Sequence, residues 1–491
     1  MSETGHARRG TLSDPSLHET KKDDPILAAV TAGKGAPPDP PRQRLLKKQK
    51  KGTAPGATPK AGVSTLDEAR RRGAVGFLQL LGPGLVTGAS DDDPSGIGTY
   101  SQVGSQFGYG LLWTALFTFP LMAAVQEMCA RIALQTGVGL GVTLRRKFPP
   151  MLVGAAILAL LAANTINIGA DMGAVASGGS LLTRGAIHPV WLILPTTLLI
   201  LGLQLFASYA TLFRIFKWLT VALFAYVITA VVVHPSLLRV ARSTLIPHFE
   251  FTAPFITALV AVLGTTISPY LFFWQASSEV DEMKAAGQVR EADRRGVKIN
   301  EMKAARFDIF VGMLFSNLVM FFIILTSAAV LNAHGKTDIQ TADQAAAALT
   351  PFAGPFAFVL FAAGMIGAGL LAIPILSASA TYALKEFMRL PGSLAAKPQH
   401  RPTFYLILVL ATVAGAVMNF VHIDPIRALF VTAVINGVVA PPLLILIVLV
   451  AGDRKIMKER VSGALSRTLT WTAAGLMSLA ALALAYTSLH R

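Results

Sequence analysis

Cysteine is almost absent from this chain. One thiol, Cys129, in 491 residues leaves nothing to pair with inside the chain and no Cys/His cluster for zinc. In the apolar run Met128-Cys129-Ala130 it reads as a small core residue. Charge is scarce as well, at 14% of residues against about 25% in an ordinary soluble domain. No HExxH zinc motif and no Walker-type phosphate loop occurs, and no nucleophile stands out beside a base. Catalysis is therefore not expected, and neither is a cofactor. No segment reads as a cleaved signal peptide, since the first long apolar run begins near residue 75.

Apolar sequence is what the chain has in abundance. Hydrophobic residues make up 53%, and the mean hydropathy is +0.56. Stretches of roughly 20 residues, long enough to cross about 30 Å of hydrocarbon as helix, recur eleven times. They lie near 78–104, 109–134, 151–178, 190–208, 211–233, 254–277, 306–331, 353–384, 404–421, 425–450 and 468–489. The expected class is an all-α integral membrane protein with eleven transmembrane helices, its transporter domain spanning 78–491. Residues 1–77, rich in Pro, Gly, Lys and Arg, have too little apolar surface to order themselves and read as a basic, disordered cytoplasmic tail. Within the tail, Arg42–Lys51 reads either as a solvated charge run or as a segment resting on anionic lipid.

The formal charge of +16 invites a nucleic-acid reading, but its distribution points elsewhere. With the N-terminus cytoplasmic, 37 of the 43 Lys and Arg residues fall on that side. Only Arg184, Arg239, Arg242, Lys336, Arg427 and Arg491 fall on the other. Leaving out the tail, the ratio is still 22 to 6. This is the positive-inside bias of a multi-pass cell-membrane protein, with its N-terminus inside and C-terminus outside. The expected surroundings are a lipid bilayer, without nucleic acid; partner proteins are not indicated.

Inside the first apolar stretch stands Asp91-Asp92-Asp93-Pro94-Ser95-Gly96. Carboxylates at membrane depth cost a few kcal/mol each and persist where they face a water-filled cavity or a cation. The neighbouring Pro and Gly break the helix, and unwound backbone is tolerated only where it lines such a cavity. A second break, Gly264-Thr265-Thr266-Ile267-Ser268-Pro269-Tyr270, interrupts the sixth stretch, five spans later. Two interrupted helices at matching places in five-span halves of opposite orientation mark an inverted-repeat transporter, whose helix ends and loosened carbonyls meet at mid-membrane.

The residues at these breaks resemble those of the NRAMP metal transporters. GPGLVTGASDDDPSGIGTYSQVG is similar to that family's first helix, in which GPG is followed nine residues later by Asp and then by Pro-Gly-Asn; the same count from Gly84 lands on Asp93. LGTTISPYLFFWQ is similar to the family's LGATVMPHNLYLH. The resemblance covers residues 75 to 489, and its specific part is the two breaks. It implies the LeuT-like inverted repeat of helices 1–5 and 6–10, with helices 1 and 6 broken.

Where the sequence departs from the family, it is more informative. The family's Asn ligand is replaced by Gly96, which offers only a carbonyl. Its Met ligand, the soft thioether, is replaced by Ser268, and Tyr270 replaces a His. Thr265 falls where the family supplies an Ala carbonyl, and it adds a hydroxyl. The implied metal site is Asp93, Gly96, Thr265, Ser268, Asp91 and Tyr270, all oxygen. Oxygen ligation selects hard cations, and Mg²⁺ usually keeps several waters while taking one or two carboxylates. Three consecutive residues on a helix cannot all face one point. Asp93 is therefore the expected ligand, and Asp91 and Asp92 contribute field, one of them near the ion; Asp91 reads equally as a hydrogen-bonded structural acid.

Proton coupling should be lost by the same comparison. The family carries protons along a helix 3 Thr-Asp-x-Ala-Glu stretch, helix 6 His residues and helix 9 Arg residues. Here helix 3 keeps Asp171 but has Ala174 at the Glu position, the His positions are Tyr270 and Gln275, and Phe404–Phe420 carries no charge. These features resemble the NRAMP-related magnesium transporters, which carry Mg²⁺ and also Mn²⁺. Two alternatives stand beside uncoupled Mg²⁺ and Mn²⁺ uptake. One is a proton-coupled Mn²⁺/Fe²⁺ importer. The other is a sodium-coupled organic-solute carrier, whose substrate carboxylate three Asp residues would repel.

Other polar residues leave two readings open. Asn164, Asn167 and Asp171 share one helical face, either lining the path or packing against helix 1. Asn436 falls near a family Gln that touches the metal. Gln126, Glu127 and Arg131 read as a structural cluster. Glu279, Asp281 and Glu282 read as a solvated loop after the sixth span, or as an exit vestibule for the path.

Overall fold

Pro94 and Pro269 set the architecture. Each removes a backbone N–H and pushes the residue before it into extended conformation: ψ is 169° at Asp93 and 126° at Ser268. The first broken helix therefore has two halves, α1 (Pro83–Asp91) and α2 (Pro94–Phe107). The second has α9 (Ala253–Thr266) and α10 (Pro269–Ala285). The protein is described here by a computed structural model covering residues 82–206, 223–394, 396–420 and 425–489. The tail and most of the fifth apolar stretch lie outside the described residues.

Between the breaks run α3 (Trp113–Thr136), α4 (Leu140–Lys147), α5 (Pro150–Leu182), α6 (Pro189–Phe206), α7 (Phe224–Val233) and α8 (Leu237–Leu245). After them come α11 (Ile299–Val330), α12 (Ala357–Phe387), α13 (Pro402–Met418), α14 (Pro425–Ala451) and α15 (Ala464–Leu489). No strand occurs among the described residues. Eight helices are long and apolar enough to cross a membrane; α7 and α13 are shorter apolar helices. Each of the eleven apolar stretches carries at least part of a described helix.

The helices pack with α9 and α10 at the centre, where Phe255, Tyr270, Phe272 and Phe273 are fully buried. Peripheral α6, α13 and α15 turn Leu194, Leu198, Leu410 and Leu479 outward, as an apolar solvent requires. Glycine sets the tightest contacts. A Cβ on Gly88 of α1 would stand 2.1 Å from the Gly312 carbonyl oxygen of α11, and one on Gly264 of α9 would stand 2.1 Å from the Ala433 oxygen of α14. Each broken helix thus lies backbone to backbone against a long continuous one.

Candidate metal centre

Asp93 is the N-cap of α2. Its Oδ1 accepts the Gly96 N–H at 2.8 Å and the Ser95 hydroxyl at 2.7 Å, the arrangement that satisfies the orphan donors of a helix start. Its Oδ2 faces the other helices, with Asn167 Nδ2 of α5 at 3.3 Å and Tyr270 Oη of α10 at 3.3 Å. Both contacts are long, so Oδ2 is the oxygen most readily turned over to an ion. The carboxylate is 1% exposed, closed to bulk water from either side.

Around it the two breaks meet. Ser95 Oγ and Thr265 Oγ1 are 3.4 Å apart, and a Cβ on Gly96 would stand 3.5 Å from Thr265 Oγ1 and 3.4 Å from the Asp91 carbonyl. Ser268 sits at the same break, but its hydroxyl donates to the carbonyls of Thr265 (2.6 Å) and Gly264 (3.1 Å), closing the end of α9. Asp93, Gly96, Thr265 and Tyr270 are thus brought together, with Ser268 one residue behind them.

Asp91 goes elsewhere. Its Oδ2 accepts the Ser316 hydroxyl of α11 at 2.7 Å, and Asp92 Oδ1 accepts the same hydroxyl at 3.2 Å. The three consecutive carboxylates therefore divide between two sides of the break, Asp93 toward α5 and α10 and the other two toward α11. Among the described residues no three His, Cys, Asp or Glu side chains gather closely enough to enclose a bare ion.

On α5, Asn164, Asn167 and Asp171 are fully buried. Asp171 lies in the field of Asp93, near the start of α2 at Ser95. The Ser95 backbone N–H is directed at this carboxylate, but neither Asp171 oxygen is in a hydrogen bond of normal geometry, nor are the side-chain oxygens of Asn164 and Asn167 or either polar atom of Asn436. None of Asp91, Asp92, Asp93 and Asp171 joins an ion pair among the described residues. Buried charge of one sign without a partner is costly.

These buried acids stand at the junction of two half-helix pairs. The family described as natural resistance-associated macrophage protein-like (Nramp) matches residues 84–487, most of the chain. The chain belongs to the Nramp family. Among its Nramp relatives, the divalent metal cation transporter MntH of Pectobacterium carotovorum is 26% identical over 79% of this chain and 89% of that protein. MntH of Klebsiella pneumoniae is 25% identical over 80% and 90%. The crystal structure of the Eremococcus coleocola manganese transporter, in complex with an aromatic bis-isothiourea substituted compound, superposes with a TM-score of 0.64. It covers 84% of this chain and 87% of that one at 16% identity, a likeness of fold.

Among the described residues, no thioether contacts the Asp93 carboxylate of this Nramp protein. Met172 turns its sulfur to Thr197 (3.0 Å), and Met320 Sδ is 3.7 Å from Thr266 Oγ1, which faces Tyr100. The polar thread from the centre toward the start of α1 is Thr87 Oγ1 to Gln275 Oε1 (2.5 Å) and Gln275 Nε2 to Glu279 Oε1 (2.9 Å). At its end Asp308 of α11 accepts the N–H groups of Gly82 (2.9 Å), Gly84 (2.6 Å) and Leu85 (3.1 Å), capping α1 from another helix. The reading of Glu279, Asp281 and Glu282 as a solvated loop is corrected here. With no breaker before Gly287, α10 continues through them to Ala285, and Glu279 is buried. Glu127 takes Arg131, Arg306 (3.0 Å) and Ser466 (3.2 Å), tying α3, α11 and α15 together away from the centre.

Ser95, Ser316 and Asp308 were not singled out in the sequence. Ser95 carried a signal, a hydroxyl two residues after an N-cap Asp. Asp308, an acid at the edge of the seventh span, carried a fainter one.

Proposed function

We propose that this Nramp protein carries divalent metal cations, Mg²⁺ and Mn²⁺, across the membrane by alternating access without moving protons. The observation that carries the proposal is the set of groups around the Asp93 carboxylate: the Ser95 hydroxyl on Oδ1 with Thr265 Oγ1 3.4 Å beyond it, and Tyr270 Oη and Asn167 Nδ2 at Oδ2, with no thioether and no imidazole among them. Hard oxygen donors suit Mg²⁺ and Mn²⁺, and Mg²⁺ keeps most of its waters. Asp93 binds the ion directly, the Gly96 carbonyl and Ser268 hydroxyl line the same break, and Asn167 and Asp171 accept hydrogen bonds from its waters. The names of the MntH relatives and of the manganese transporter support the substrate class.

The absence of coupling rests on what surrounds the path. In the resembled family the relay uses His on the sixth span and Arg on the ninth; here Tyr270 and Gln275 occupy those sixth-span positions and α13 carries no charged residue, which leaves Asp171, Glu279 and Asp308 as buried titratable groups beside Asp91, Asp92 and Asp93. The membrane potential alone supplies about 4.6 kcal/mol per 100 mV for a double charge, from about 2.3 per unit charge. One observation favours proton-coupled Mn²⁺ import as a second reading: Asp171, with neither oxygen in a hydrogen bond of normal geometry, is placed to bind a proton.

Proteoliposomes loaded with a magnesium-sensitive dye and a pH dye separate the two. Uncoupled transport gives Mg²⁺ entry with the lumen pH unchanged. Acidification in step with Mn²⁺ entry, lost in Asp171→Asn, establishes the second reading instead.

A further inference from the structure

Two of the few basic residues on the Lys- and Arg-poor face of the protein, Arg239 and Arg242, sit one turn apart on α8, in the connection between α7 and α9. A membrane protein depletes that side of positive charge, so a pair there needs a reason. Neither arginine joins an ion pair among the described residues. Both line a cleft of about 310 Å³ with Tyr109, Ser243, Pro247 and His248. The nearby acid, Glu250, is held by His248 Nε2 at 2.9 Å.

The helix that carries them is amphipathic. On a 3.6-residue turn Arg239, Arg242 and Ser243 share the face toward the cleft, and Leu237, Leu238, Ala241 and Leu245 share the opposite one. No residue of α8 is buried; Leu237 is 82% and Leu238 81% exposed. Beside α8 an aromatic group marks the level of a membrane–water boundary. Trp113 donates to the His248 carbonyl at 3.2 Å, and Phe249 packs on Trp113, Phe251 and Phe255. A helix of this composition at that depth lies in the interface plane with its leucines among acyl chains.

We propose that the Arg239–Arg242 cleft holds the phosphate of an anionic phospholipid headgroup from this leaflet. The charge, the donors (two guanidiniums, the Tyr109 and Ser243 hydroxyls) and the apolar face beside them match a molecule with an anionic head and hydrocarbon tails. Planar guanidinium forks suit phosphate oxygens. Because α8 joins α7 to the second broken helix, the bound lipid steadies the connection that enters α9. The proposal is independent of which metal is carried.

Native mass spectrometry on the purified full-length protein, titrated with dioleoylphosphatidylglycerol or dioleoylphosphatidylcholine, tests it. The protein should retain phosphatidylglycerol in preference to phosphatidylcholine. Retention should fall by about 30-fold in R239A/R242A, from the contribution of each arginine beside an anionic surface. R239K/R242K, which keeps both charges, should keep most of the preference and guards against a folding defect. Equal retention by the protein and R239A/R242A overturns the proposal. Displacement of the lipid by millimolar inorganic phosphate assigns the cleft to a free anion and overturns the lipid assignment.

Discussion

Tyr270 Oη donates to the carbonyl of Ser90 across 2.8 Å. Ser90 is four residues before Pro94, so its carbonyl loses the helical N–H partner that proline cannot supply. The second broken helix thereby satisfies the group that the first leaves open, and the same hydroxyl lies 3.3 Å from Asp93 Oδ2. The two breaks are one unit, and Asp93 Oδ2 is held at their junction.

Tyr270→Phe removes that donor and leaves a buried carbonyl unpaired. The expected loss is about 1–3 kcal/mol of stability, read as a lower melting midpoint of the purified protein in detergent. Ser90→Ala, which keeps the carbonyl, should leave the midpoint nearer that of the parent protein.

Asp93→Asn keeps the size of the side chain and removes its charge. Divalent uptake should fall at least about 100-fold, the equivalent of roughly 2.7 kcal/mol, while the elution profile on size exclusion stays monodisperse. Asp92→Asn, directed to Ser316, should reduce uptake less.

A soft atom placed in the oxygen set should change the metal preference. Thr265→Cys puts a thiol where Thr265 Oγ1 now stands, 3.4 Å from Ser95 Oγ. Thiolates favour soft ions, so competition assays should show Cd²⁺ gaining on Mg²⁺ by about tenfold, or 1.4 kcal/mol.

Asp308 holds the start of α1 through three backbone N–H groups. Asp308→Ala should cost about 1–2 kcal/mol as a lost cap and loosen α1 from α11. Because Cys129 is the chain's one cysteine and is buried, Thr87→Cys can be labelled without removing it. Maleimide should reach Thr87→Cys faster in the Asp308→Ala background.

Gly88→Ala and Gly475→Ala should move stability in opposite directions. At Gly88 the new methyl meets the Gly312 carbonyl and forces α1 off α11, with an expected loss of about 1–3 kcal/mol. At Gly475, on α15, nothing lies within 4 Å, and alanine should gain about 0.5–1 kcal/mol from helix propensity. Melting midpoints of the two variants check both signs.

The contrast between the Asp93 and Asp308 stories shows what could be read from sequence. Pro94 and Pro269 act on their own neighbours, so both breaks and the five-span spacing were visible as local chemistry in apolar runs. The partners of Asp91 and Asp92 were not. Ser316 lies more than 220 residues away, and it reaches them only because Gly88 and Gly312 let two backbones touch. Glu279 was misread for a related reason: its polar neighbours look like a loop, whereas burial comes from Gln275 and Thr87 on packed helices.

The central claim is an all-oxygen, partly hydrated dication at Asp93. Electron–nuclear double resonance on Mn²⁺ bound to the purified protein in H₂O and D₂O measures it most directly. The account predicts exchangeable protons from several inner-sphere waters, no strongly coupled nitrogen, and loss of the bound signal in Asp93→Asn. A bound ion without inner-sphere water, or one that survives Asp93→Asn unchanged, would contradict it.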